Sequence, residues 1–273
     1  MPNPENHIAE LMLRLQGADI SPFDERFLQR TLQNRMEKTA CLRHAEYFQL
    51  LETHVNEREN LLSDLQISHS TFFRHPLCFF VLEHIALPGM LLKKKRQNSS
   101  IRIWSAACAA GQETYSLAIL LEELSAGTEK FQYRIFGTDY SERQLKLAAK
   151  GSYSASALEN VRLGQLKKWF TAQKEGYSVI PDLKQNITFS VFDLFSTRHS
   201  SPPESIFGDF DIIMCANVLF YYKPEFRRQI LEKIRSSLAG GGLLITGEAE
   251  RKILIQAGFS EIYPHSAIFS EAK

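Results

Sequence analysis

Three carboxylates close apolar runs. Glu113 stands two residues past Gly111 in IRIWSAACAAGQETYSLAILL, Asp139 ends YRIFGTD, and Asp193 ends FSVFD. An apolar run that passes through a short turn into a helix is a βα turn, and ligands of open α/β sheets sit over such turns. A phosphate-binding turn needs G-x-G-x-x-G, so that a pyrophosphate can approach the backbone at the helix N-terminus. Here the turn offers only Gly111 and then a carboxylate, which repels phosphate. Asp139, 28 residues past Gly111, suits a carboxylate that accepts both hydroxyls of a ribose. A nucleoside without phosphates fits these residues. S-adenosylmethionine is one: it carries a sulfonium and an ammonium against a single carboxylate, a cation that the three acids favour and that NAD or ATP is not. Each acid also has a plainer role open to it. Glu113 could complement the helix dipole, Asp139 could share the capping of the next helix with Ser141, and Asp193 could close a turn.

The elements that must position these acids follow from alternation after Ser100. IRIWSAAC leads to a helix ending near Leu124, YRIFGTD to SERQLKLAAKG, and FDIIMCANV to KPEFRRQILEKIRSSLAGGG and then LLITGEA. Strands alternating with helices mean βαβ units, an α/β fold with a doubly wound, mostly parallel sheet. In the helix after Lys223, Pro224 suits the first turn, Phe226, Ile230, Ile234 and Leu238 share a face, and Gly240 to Gly242 read as its end. Strand ends near residues 106–110, Asp139, Asp193 and Asn217 are expected to converge. GYSVIPDLKQNITFSVFDL alternates around a Pro-Asp turn and predicts a small antiparallel β insertion at about 177–191. Residues 1–92 read as a small all-helical domain, 93–100 (KKKRQNSS) as a linker, and 101–273 as the sheet domain. In the helical domain Ser21 is placed as N-cap with Pro22 at N1, and Phe27, Leu28, Leu32 and Met36 fall on one stripe. Further helices are expected over Arg43–Glu52 and over Leu77–Leu92, with a bend at Pro88.

The 273 residues carry 44% hydrophobic and 23% charged side chains and a net charge of +1, ordinary values for a globular protein with one large or two modest domains. That charge argues against a nucleic-acid partner. Lys93 to Arg96 form a basic run, read as solvated. The four cysteines are widely spaced, with no C-x-x-C pair, so neither a zinc site nor a disulfide frame is indicated and no metal is expected. MPNPENHIAEL lacks a basic segment followed by an apolar one, and no run approaches 18 apolar residues, so a cytoplasmic protein without membrane insertion is expected; a monomer is expected as well.

Five stretches together resemble the CheR-type chemotaxis receptor methyltransferases: STFFRHPLCF at 70–79, IWSAACAAGQETYSLAI at 103–119, FGTDYSERQLKLAAKGSY at 136–153, FSVFDL at 189–194 and FDIIMCANVLFYYKPEFR at 210–227. The likeness runs from the N-terminal helices to LLITGEAE. It implies a Rossmann-like methyltransferase fold and methyl transfer from S-adenosylmethionine, leaving S-adenosylhomocysteine, to glutamate side chains of receptor cytoplasmic domains. It also implies that Arg74 and Tyr221 lie beside the transferring methyl, that Glu113 and Asp139 hold the amino-acid and ribose parts, and that Asp193, Leu194, Asn217 and Val218 surround the adenosine. Ala107 and Tyr140 join this cofactor set, with Ser68 and Ser70 where the family has Asn and Thr. The β insertion matches a subdomain that docks a receptor tail in some members. Departures are Ala216 for the arginine of C-R-N-V, Asp193 for Asn, and GEAE at 247–250 for G-H-S-E.

Methylation of a carboxylate needs little acid–base help, because a group of pKa about 4.3 is already anionic at neutral pH. No histidine is assigned to catalysis; His69 and His75 are read as surface or packing residues. Arg74 would grip the acceptor carboxylate through its planar fork and Tyr221 would orient it. Phe72, Phe73, Phe220 and Tyr222 would wall the site, with a plain core role open to Phe72 and Phe220. Arg26, Arg30, Arg35, Lys38 and Arg43 suit either an acidic receptor surface or a solvated face. Two alternatives stay open: another acceptor for the same fold and cofactor, or a non-catalytic module that senses S-adenosylmethionine.

Overall fold

Ile101 to Ala106 forms β1, and every residue but Arg102 is buried, as expected of a strand covered on both faces by helices. A computed structural model describes residues 4–66, 70–126 and 131–271. Two units emerge, residues 4–66 with Phe220–Arg227, and the remaining described residues from 70 onward.

The first unit packs α1 (Pro4–Gln16), α2 (Glu25–Lys38), α3 (His44–Thr53) and α4 (Val55–Leu65) around Ile8, Met12, Leu28, Leu32, Tyr47 and Leu61. Helix α2 begins three residues later than the Ser21-Pro22 pattern suggests. Asp24 is its N-cap, accepting from Arg26 N at 3.1 Å, because Phe23 is drawn into a β-bridge with Tyr222. Arg35 does not join a solvated basic face. It is buried, bonds Glu57 through Nε at 2.8 Å and Asp64 at 3.3 Å, and Tyr47 Oη donates to Glu57 at 2.8 Å.

In the second unit, α5 (Pro76–Val81) and α6 (Leu87–Gln97) are joined by a π-helical turn at Leu82–Ala86, not by a bend at Pro88, which is accommodated in the first turn of α6. The helix thus runs through Lys93–Gln97, expected as linker. Its 22 residues have the length and apolar composition of a membrane span, although no run of 18 apolar residues is visible in the sequence; Cys78, Phe79, Leu82 and Leu87 are buried in the protein core.

The chain continues through α7 (Gln112–Ala126), β2 (Tyr133–Asp139), α8 (Glu142–Lys150), β3 (Ser152–Tyr153), α9 (Leu163–Trp169), β4 (Phe170–Gln173), β5 (Gly176–Val179), α10 (Pro181–Lys184), β6 (Ile187–Val191), β7 (Phe210–Met214), α11 (Pro224–Ser237), β8 (Leu238–Ile245), α12 (Arg251–Gln256), β9 (Phe259–Glu261) and β10 (Ile268–Glu271). The main sheet has the order β6-β2-β1-β7-β8-β10-β9. Its first five strands are parallel, and β10 runs antiparallel to both β8 and β9. The order reverses between β1 and β7, which makes their carboxyl ends the switch point.

Two strand expectations need correction. The small antiparallel sheet, β3-β5-β4, spans residues 152–179 and not 177–191, while Ile187–Val191 pairs in parallel with β2. Alternation marks a strand but not the sheet it joins. Gly240 to Gly242 lie within β8 and do not cap a helix, because Leu238 already pairs with Phe210. A Cβ on Gly242 would come 2.8 Å from Phe210 O, so glycine is what lets the strands approach there.

Candidate cofactor and active site

The turn from β1 into α7 is held in an unfavourable backbone. Ala107 (φ 53°) and Ala109 (φ 48°) take the left-handed conformation alongside Gly111 (φ 87°), at a cost of about 1–2 kcal/mol for each alanine. Tertiary bonds enforce it. Cys108 N donates to Thr138 O at 2.8 Å, Ala109 N to Asp139 Oδ2 at 2.9 Å, and Tyr153 Oη to Ala110 O at 2.7 Å. Gly111 has no room for a side chain, since a Cβ would sit 2.9 Å from Ala148 Cβ. The strain thus lies over the carboxyl end of β1, where strained turns mark function.

Glu113 occupies the first turn of α7 and is buried. Burial pushes its carboxyl up to about 7, Arg74 pulls it back, and Glu250 pushes it further up. Such a carboxylate is poised for a cation, whose arrival would restore its charge. Asp139 is also raised by burial, and two backbone N–H groups oppose the shift: Ala109 N at Oδ2 and Ser141 N, 2.8 Å, at Oδ1. Each oxygen thus keeps a lone pair for a further donor. Asp139 does not cap α8; Ser141 takes that position.

The other expected residues divide. Asp193 Oδ1 accepts from Phe195 N at 2.8 Å, the local turn that its residue type favours. Leu194 and Val218 are buried. Asn217 has φ 61° and its Oδ1 lies 2.9 Å from His75 Nε2. Tyr140 is 67% exposed. Ser68, with His69, lies outside the described residues. Arg74, half-buried, follows Phe73, whose φ is 50° and whose N–H donates to Ser116 Oγ at 3.0 Å. Phe72 is no site wall: it is fully buried and meets Tyr153 and Phe170 edge-on. Phe73 is buried against Phe79. In the helical unit, Tyr221 packs on Phe27 and Phe220, its carbonyl accepts from Asp24 N at 2.7 Å, and Tyr222 stacks on Phe23.

Sequence reading missed the roles of His75 and Glu250. The first, expected as a surface or packing residue, bonds Asn217 142 positions away. The second is a buried carboxylate beneath the loop after β7. All four cysteines are free thiols, three of them buried, and among the described residues no His, Cys, Asp and Glu group could hold a metal ion.

A family model described as CheR methyltransferase, SAM binding domain, matches residues 68–262. The chain belongs to this family. A chemotaxis protein methyltransferase of Listeria innocua is 29% identical over 90% of this chain and 88% of its own. Chemotaxis protein methyltransferase 1 of Pseudomonas aeruginosa is 31% identical over 80% of this chain and 79% of its own, and a probable chemotaxis protein methyltransferase of Rhizobium etli is 32% identical over 71% of each.

S-adenosylmethionine is the cofactor of this methyltransferase domain, and the site fits it. Ser70 Oγ and Gln112 Oε1 are buried without a hydrogen-bond partner among the described residues, and such orphaned atoms are costly unless a ligand satisfies them. The donor set matches as well: a raised carboxyl for an ammonium, and a second with a lone pair on each oxygen for a ribose.

Proposed function

We propose that the protein transfers a methyl group from S-adenosylmethionine to glutamate carboxylates of a chemotaxis receptor cytoplasmic domain, giving glutamate methyl esters. The observation that carries this reading is the pairing, at one switch point, of two carboxylates suited to a cationic nucleoside, Glu113 buried and Asp139 half-buried, with the guanidinium of Arg74, which is suited to a carboxylate acceptor. The family and the names of the relatives support the acceptor class.

Glu113 would hold the ammonium and Asp139 the ribose, with Ser70, Ala107, Tyr140, Asp193, Leu194, Asn217 and Val218 around the rest and Ser68 as a further contact. The cofactor supplies an electrophilic methyl on a sulfonium. Arg74 grips the acceptor carboxylate by its fork, and Tyr221 orients it through the hydroxyl. No proton need be moved, since the acceptor is already anionic; rate comes from alignment at about 3–3.5 Å and from exclusion of water. The protein is proposed to work in the cytoplasm as a monomer.

A second reading, the same transfer onto a different protein acceptor, is favoured by Ala216, which stands where the family pattern has arginine. Incubation with methyl-labelled cofactor and a receptor fragment tests both. Alkali-labile label on the fragment supports the first reading; alkali-labile label only on other proteins supports the second.

A further inference from the structure

Glu250 does no chemistry in this scheme, yet its side chain is fully buried and saturated by backbone. Oε2 accepts from Gly247 N and Asn217 N, both at 2.8 Å. Oε1 accepts from Val218 N at 2.7 Å and Leu219 N at 2.6 Å. Burial pushes its carboxyl up, and these four N–H groups pull it back. Three of the donors are consecutive residues of the loop after β7. No strand partner serves these amides, so one carboxylate does the work of a ladder for them.

The loop so held is strained and crowded. Asn217 sits at φ 61°, and a Cβ on Gly247 would approach its Nδ2 to 2.5 Å. Its Oδ1 then meets His75 Nε2 at 2.9 Å. His75 is the N-cap of α5 and the residue after Arg74. On the other side, Phe73 is fixed by Ser116 Oγ at 3.0 Å. The backbone of Arg74 is therefore clamped from both neighbours, and one clamp leads through Asn217 to Glu250.

We infer that Glu250 is a positioning residue for methyl transfer: it sets the 217–219 loop against the cofactor and, through the Asn217–His75 hydrogen bond, registers Arg74 against the acceptor. The second half rests on the reading of Arg74 above; the first rests on the cofactor alone.

The test compares Glu250→Gln, His75→Ala, His75→Gln and the double variant Glu250→Gln/His75→Ala in the full chain. Amide hydrogen exchange at 217–219, S-adenosylhomocysteine affinity and kcat are read in each. A glutamine keeps one acceptor oxygen but turns an NH2 toward two of the four donors. Amides 217–219 should then exchange at least about tenfold faster, and affinity should fall about tenfold, as for one lost charge-assisted bond. kcat should fall about 10–100-fold, the scale of a misplaced reacting group. His75→Ala should lower kcat with affinity nearly unchanged, His75→Gln should recover part of it, and the double variant should be no worse than the poorer single one.

Faster exchange with unchanged affinity and kcat would overturn the inference and leave Glu250 a brace. Losses that multiply in the double variant would overturn the path through His75, as would a wild-type kcat in His75→Ala, which needs no Glu250 variant to fold. A wild-type chain that binds S-adenosylhomocysteine but methylates nothing would refute the functional reading alone, with exchange and affinity still deciding Glu250.

Discussion

Cofactor binding should expel a proton from Glu113. Its carboxyl, ordinarily near 4.5, stands at about 7, chiefly through burial. At pH 6 a group of that pKa carries about 0.9 proton, and at pH 8 about 0.1. If the ligand ammonium returns the group to its ordinary range, binding releases about 0.9 proton at pH 6 and about 0.1 at pH 8, and Kd weakens about tenfold per pH unit below about 7. Calorimetry with S-adenosylhomocysteine in two buffers of different ionisation enthalpy counts these protons. Glu113→Gln subtracts whatever the ligand itself titrates, and it should show no excess release and a Kd weaker at pH 8 by about 10–100-fold. A wild-type Kd flat from pH 6 to 8, with the same proton count as the variant, would refute the pairing. The same shift bears on stability. The folded pKa is raised above the unfolded one, so the contribution is fully present below about 4.5 and is lost as pH rises through about 7, a span worth about 3 kcal/mol. Asp139 and Glu250 are raised too and act in the same direction. The cofactor-free protein should therefore melt lower at pH 8 than at pH 5, and S-adenosylhomocysteine should restore more of the midpoint at pH 8.

Other substitutions separate binding, turnover and stability. Asp139→Asn keeps one acceptor oxygen for two backbone donors and the ribose, and should weaken S-adenosylhomocysteine by about 10–100-fold by calorimetry without unfolding the chain. Arg74→Ala should lower kcat far more than analogue affinity in parallel rate and binding measurements; equal losses would count against its role at the acceptor. Gly111→Ala must place a Cβ 2.9 Å from Ala148 Cβ at φ 87° and should cost about 1–3 kcal/mol in denaturant titration, with cofactor affinity falling alongside. In the helical unit, Glu57→Gln strips the buried Arg35 of its nearer charge partner and leaves it Asp64 alone, and should destabilise that unit by about 2–3 kcal/mol, seen as early proteolysis of residues 4–66.

What the sequence made legible was local. One glycine followed by an acid excluded a phosphate turn, and period and punctuation marked β1, β2, β7 and their helices. Glycine and proline misled where tertiary contacts outvoted them. Gly240 to Gly242 resemble a helix cap but relieve crowding inside β8, and Ser21-Pro22 yielded to Asp24 once Phe23 bridged Tyr222. The β6 strand was visible as alternation, yet nothing local distinguishes pairing with β2 from pairing in the small sheet. His75 and Glu250 lay beyond reach for the same reason: Asn217 is 142 positions from His75, and three of the four donors to Glu250 are 31–33 positions away. A buried glutamate that feeds backbone amides looks in sequence like any surface acid.

Methyl transfer to a glutamate carboxylate is tested by incubating the protein with cofactor carrying a labelled methyl and a chemotaxis receptor cytoplasmic fragment, and then treating the product with mild alkali. Label on the fragment that alkali releases as methanol is expected, absent with Arg74→Ala and with Asp139→Ala. Label that survives alkali, or no transfer by a protein that binds S-adenosylhomocysteine, would contradict the proposed transfer.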